Sequence, residues 1–160
     1  MEKLCFECLW EKNEDNTREA VKNMWREYRA LDDEALIEKR SREIVFVIRN
    51  SAGEVGGVST VRPLRLKMLD NHFFYEFRCF ISPLFSAPGL DSVLAAKTKV
   101  FLEENQGIGS RFKGSLMIVE NEAIKKQRTK AVWPATEMIF AGYTAREHHI
   151  RVGYFKGARI

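Results

Sequence analysis

Residues 72–81 read HFFYEFRCFI, ten positions with formal charge only at Glu76 and Arg78. A short, nearly continuous run of aromatic and β-branched residues reads as a central strand covered on both faces, since a strand with one wet face alternates. That strand constrains the fold, because both of its faces need partners. The stretch that follows, SPLFSAPGLDS, carries Pro83, Pro88 and Gly89 and must leave the sheet. In SVLAAKTKVFLEEN beyond it, Leu90, Val93, Leu94, Lys97, Val100 and Phe101 recur on one helical face, and Gly107 marks the stop.

Residues 4–10 alternate, with Leu4, Phe6 and Cys8 to one side, and read as a first strand. Asn16 and Glu19 form an approximate capping box for a helix that reaches Asp32, and a short second helix covers residues 35–39. Residues 44–50 and 54–64 read as a hairpin around Ser51, Ala52 and Gly53. A buried strand at 114–119, a basic helix at 122–132 and two closing strands at 137–144 and 150–160 complete the order. The fold class expected is α/β (α+β): a mixed, mostly antiparallel sheet of about seven strands with helices on both faces. At 160 residues and 45% hydrophobic content, one domain over the whole chain is the simplest division.

No apolar run approaches the ~18 residues of a membrane span, and the first residues lack the longer apolar region of a secretion signal. The expected location is cytoplasmic, without a membrane partner. Three cysteines make an odd number, and Cys5 and Cys8, three apart on a strand, face opposite ways, so reduced thiols and no metal are expected. From residue 97 onward there are 12 Lys and Arg against 6 Asp and Glu, and before it 14 against 16, so the two parts carry +6 and −2. The basic part suits an anionic cofactor or an acidic carrier protein; a nucleic acid, resting on charge alone, is the least supported partner. His148 and His149 sit in the turn AREHH, where solvent exposure is expected.

The element order and the placing of SPLFSAPGLDSVL resemble the GNAT (general N-acetyltransferase) superfamily over essentially the whole chain. There the fourth strand runs through a loop patterned Gln/Arg-x-x-Gly-x-Gly/Ala into a helix, and loop amides and the helix N-terminus hold the pyrophosphate of acetyl-CoA. The leading position falls on Ser86, the first glycine on Gly89 and the last small residue on Asp91. Two of these three positions depart from the pattern. The resemblance implies that Phe80, Ile81 and Ser82 pair with pantetheine, that Ser86, Ala87, Gly89, Leu90 and Asp91 stand at the pyrophosphate, and that Asn121 also touches the cofactor. It places a general base at Glu76 or Tyr75; Tyr143 and Tyr154 are the residues that could serve as acids.

Relatives of that fold that use an acyl-carrier protein lack the strict glycine loop, and VSTVRP with Arg62 and YEFRCF with Glu76 and Arg78 are loosely similar to them. The implied donor is acetyl-CoA or another acyl-pantetheine, including acyl-carrier protein, and the acceptor a small-molecule or peptide amine. The implied function is N-acyl transfer. The alternative is a non-catalytic GNAT-like binding or regulatory module, with a homodimer through the final strands as its expected assembly.

Overall fold

The computed structural model describes residues 3–106 and 109–160. Its elements are β1 (Cys5–Cys8), α1 (Asp15–Glu27), α2 (Glu34–Ser41), β2 (Ile44–Arg49), β3 (Val55–Arg65), a 3₁₀ turn (Lys67–Leu69), β4 (Phe73–Ile81), α3 (Leu90–Asn105), β5 (Phe112–Val119), α4 (Glu122–Gln127), β6 (Val132–Trp133), β7 (Met138–Tyr143) and β8 (His149–Tyr154). The strands follow the order β1-β2-β3-β4-β5-β8-β7-β6. The registered pairs are antiparallel except β4 with β5. The mixed sheet is therefore as expected, with eight strands among the described residues where about seven were anticipated; the added one, β6, has two residues. Among the described residues, no helix is long and apolar enough to cross a membrane.

The chain divides into two compact units, Met1–Val61 with Arg78–Leu94, and Arg62–Phe77 with Ala95–Ile160. In the first, α1 buries Thr17, Val21, Met24 and Trp25, a stripe at helical spacing. Val21, Met24 and Trp25 pack with Leu9, Ile37, Ile44, Val47 and Val58. Arg49 fastens three pieces of this unit: Nε donates to Glu7 Oε2 at 2.7 Å, Nη2 to Thr17 Oγ1 at 2.6 Å and Nη1 to the Gly53 carbonyl at 2.8 Å. The α1 helix begins one residue before the expected cap. Glu14 occupies that position with no side-chain cap bond, and Asn16 lies inside the first turn. At α2 the cap is conventional: Asp33 accepts from the Ala35 N–H at 2.8 Å.

In the second unit, Phe74, Leu116, Ile150 and Val152 form the core. Gly114 faces Tyr154 across the β5–β8 pair, and a Cβ on it would come within 2.2 Å of the Gly153 carbonyl oxygen. The basic helix expected to reach residue 132 stops at Gln127 because tertiary bonds take its backbone. Arg151, 2% exposed, donates to the carbonyls of Lys130, Ala131 and Arg128 at 2.7, 2.9 and 3.3 Å. Trp133 Nε1 adds a bond to the Arg128 carbonyl at 3.1 Å. The segment is thereby turned out of the helix and into β6. Burial lowers the pKa of the Arg151 guanidinium from its ordinary value.

Candidate functional site

In the first unit, β4 leaves the sheet through two successive turns, each led by proline. Ser82, at the end of the strand, donates its N–H to the Gly56 carbonyl of β3 at 2.8 Å. The Phe85 N–H closes the first turn on the Ser82 carbonyl at 3.0 Å, and the Leu90 N–H closes the second on the Ala87 carbonyl at 3.1 Å. In that second turn Pro88 and Gly89 are the central residues, and Gly89 has φ +79, the arrangement of a type II turn. The glycine that matches the cofactor-loop pattern is thus required by the turn itself.

Phe85 anchors the loop. Its ring lies so close over Gly56 that a Cβ there would fall 2.0 Å from Cγ, inside any permissible contact. The anchor explains why a half-buried phenylalanine holds its place between exposed neighbours.

Part of this loop's backbone donor set is already used. From Ser86 to Asp91, Pro88 has no N–H, the Ser86 N–H points to the Pro83 carbonyl at 3.4 Å, and the Leu90 N–H closes the turn. The helix starts at Leu90, so Asp91 is not its cap but an acidic residue of its first turn. There a carboxylate meets the positive end of the helix dipole, occupying electrostatically the place of a bound anion.

The bond from Ser82 to β3 also sets the direction of its neighbour. N–H groups alternate from edge to edge along a strand, so the Ile81 N–H points away from β3. Of Phe80, Ile81 and Ser82, it is Ile81 that offers a donor on that other edge.

Beside this strand end lies a cleft of about 90 Å³, lined by Trp25, Ala30, Leu31, Arg40, Val58, Thr60, Arg78, Cys79 and Phe80. Val58 and Thr60 alternate with their neighbours onto one face of β3, as Arg78 and Phe80 do on β4. The ring of Phe80 meets Tyr28, the residue just after α1, at a centroid distance of 6.0 Å, so that face looks toward the helices. Trp25, Ala30, Leu31 and Arg40 come from α1, α2 and the segment joining them. Arg78 was legible in the sequence by its place in YEFRCF. Trp25, Leu31, Arg40 and Thr60 were not singled out, because no spacing links α1 and α2 to the face of β3.

The remaining candidates lie in the second unit. Glu76 has a side chain with no exposed surface, and Arg62 Nε donates to its Oε2. Tyr75, one residue earlier and so on the opposite face of β4, stacks on Phe112 with ring centroids 3.9 Å apart and planes 7° from parallel. Tyr143 is 59% exposed and makes edge contacts with Phe140 and His149 at 5.1 and 5.3 Å. Asn121 caps α4, its Oδ1 accepting from the Ala123 and Ile124 N–H groups at 2.9 and 3.2 Å. His148 and His149 are partly buried rather than open to solvent, with His148 Nδ1 3.9 Å from Glu120 Oε1.

The chain has the GNAT fold. Its architecture is similar to that of a ribosomal-protein-S5-alanine acetyltransferase from Vibrio fischeri, with TM-score 0.66, 11% identity and coverage of 100% of this chain and 97% of that one. A GNAT-family acetyltransferase from Streptococcus pneumoniae aligns with TM-score 0.60 at 9% identity, over 96% of this chain and 99% of the other. The AtaTR structure bound with acetyl-CoA aligns with TM-score 0.60 at 15% identity, over 97% and 95%. No protein-family profile and no curated relative matches the sequence.

The Phe85 anchor is directly testable. Gly56→Ala should displace the ring and release the loop, with a loss of about 1–3 kcal/mol in stability. Hydrogen exchange should then quicken at residues 83–90 while α1 stays protected; unchanged exchange in the loop would refute the anchor.

Proposed function

We propose that this protein is an N-acyltransferase that moves an acyl group from a pantetheine thioester to an amine. The observation that carries the reading is the position of the cleft: its walls include Arg78, Cys79 and Phe80, the residues just before the strand end from which the donor would be presented. In this reading, pantetheine lies along β4 in the manner of an added strand, and the Ile81 N–H polarises the thioester carbonyl. The amine attacks the carbonyl carbon, the C–N bond forms, the C–S bond breaks and the thiol leaves with a proton. Glu76, held by Arg62, is the proposed acceptor of the proton lost by the amine. Tyr75, already stacked on Phe112, and Tyr143, in its exposed aromatic trio, are assigned packing roles.

One observation favours a donor without a pyrophosphate. With Pro88 lacking an N–H, Ser86 and Leu90 donating within the loop, and Asp91 at the helix start, a diphosphate would meet fewer donors and an added negative charge. An acyl-carrier protein presents the same arm with a single phosphodiester. Both acetyl-CoA and acyl-carrier donors fit the reading, the second better.

The test compares donors by thermal melting. Acetyl-phosphopantetheine should raise the melting temperature by about 5–10 °C at a hundredfold excess over its Kd, and acetyl-CoA by no more than that. Asp91→Asn should tighten acetyl-CoA binding about threefold or more by removing the carboxylate from the helix start, without changing the phosphopantetheine response in proportion. If neither donor shifts the melt, the chain is the non-catalytic module and the proposal fails. For the proton acceptor, Glu76→Gln should lower kcat about a hundredfold or more in folded protein. Full activity in that variant would remove Glu76 from the mechanism.

A further inference from the structure

We infer that a second cleft, between the end of α3, the start of β5 and the segment after β8, binds a phosphate-bearing small molecule. Its phosphoryl group is received by Lys113, Lys156 and Arg159. The site lies wholly in the second unit and does not depend on the acyl-transfer reading.

This cleft has a volume of about 420 Å³. Three bonds fix its walls. Glu103, in the last turn of α3, accepts the Lys156 N–H on Oε1. The Phe155 N–H donates to the Lys113 carbonyl at 2.9 Å, and the Ala158 N–H closes a turn on the Phe155 carbonyl at 3.1 Å. Gly157, with φ +74, takes the left-handed position of that turn, and Phe155, 3% exposed, seats it. Lys156 and Arg159 stand in and just after this turn, so both side chains start from backbone tied to α3 and β5.

Three cations and one carboxylate, Glu103, line the cleft, a formal +2 by difference. Among the described residues, none of the three cations is ion-paired, to a side chain or to a chain terminus. Elsewhere the same chain pairs its cations: Lys22, Arg26, Arg42 and Arg49 each meet a glutamate. Arg111, two positions before Lys113, lies on the Phe73 ring at 4.0 Å from its centroid and adds its charge to the same end of β5.

That balance selects the charge of the ligand. A phosphomonoester carries about −1.5 to −2 at neutral pH and neutralises the lining, whereas a single carboxylate leaves a positive charge over. The donor set selects its shape. Two ammonium groups, each with three rotatable donors, and one guanidinium match the three terminal oxygens of a phosphomonoester better than the planar pair of a carboxylate. Ser110 adds a hydroxyl: its Oγ accepts the Phe112 N–H at 3.3 Å, which leaves its proton to donate. The volume falls within the roughly 300–1,000 Å³ of small-molecule sites, so a small organic body has room beside the phosphoryl group.

Calorimetric titration of the full chain, at one ionic strength, compares three probes: glycerol 2-phosphate, succinate as a dicarboxylate of like charge, and a short single-stranded RNA oligonucleotide. Glycerol 2-phosphate should bind about tenfold or more tightly than succinate. Lys156→Gln and Arg159→Gln should each weaken it about fivefold or more. Lys39→Gln, an equal loss of charge at an exposed position of α2, should leave it unchanged. Lys156 and Arg159 are exposed and follow the last strand, and a melt of each variant checks its folding. In the unsubstituted protein, the amide resonances of Lys113, Lys156 and Gly157 should shift along the same saturation curve, which reads the site without any variant. No saturable binding at millimolar glycerol 2-phosphate, equal binding of succinate, or equal weakening by Lys39→Gln overturns the inference. Tighter binding of the oligonucleotide in competition with glycerol 2-phosphate overturns it too, by assigning the cleft to a nucleic-acid backbone.

Discussion

The contact between Phe85 and Gly56 decides how this chain leaves its central strand. A ring pressed onto a bare Cα fixes the loop after β4 against β3, and the Ser82 N–H, bonded to the Gly56 carbonyl, fixes the strand end at the same residue. Two consequences follow from that single glycine. The Ile81 N–H is turned to the opposite edge of β4, and Val58 and Thr60, further along the same face of β3, remain to floor a cleft rather than to support the loop. In the proposed reading, the donor-facing group and the acceptor-facing surface are then set by the same piece of backbone.

Electrostatics divide the proposed site into two tasks. At the loop, Asp91 supplies negative charge to the helix start, Pro88 has no N–H, and the Ser86 and Leu90 N–H groups are used within the turns. In the cleft, Arg40 and Arg78 stand among the lining residues. In the proposed reading, the acidic helix start disfavours the diphosphate end of a nucleotide cofactor. The departures of Ser86 and Asp91 from the family loop are thus consistent with a change of donor rather than with loss of the fold.

Much of the fold was legible because its elements are locally determined. The aromatic run of β4, the hairpin around Gly53 and the helix after Gly89 each carry their own period and stop signals. The failures came where distant residues decide. The end of α4 depends on Arg151, which takes the carbonyls of residues 128, 130 and 131, and no local pattern near Gln127 announces it. The short strand β6 exists by the same means. Glu76 was legible as a candidate, but its burial beside Arg62 was not, since strand alternation alone could not say which face would be covered. The cleft was the least legible feature. Its lining joins residues from 25 to 80, and the two arginines meet it only through the fold.

The most direct measurement is the backbone amide spectrum of the protein titrated with a non-hydrolysable acetyl-phosphopantetheine. A donor lying along the strand end should give the Ile81 N–H a new hydrogen bond, seen as a saturable downfield proton shift. The Ser82 N–H, already bonded to Gly56, should move little. An Ile81 resonance that does not move at saturation, or a response confined to residues away from the end of β4, would contradict the account.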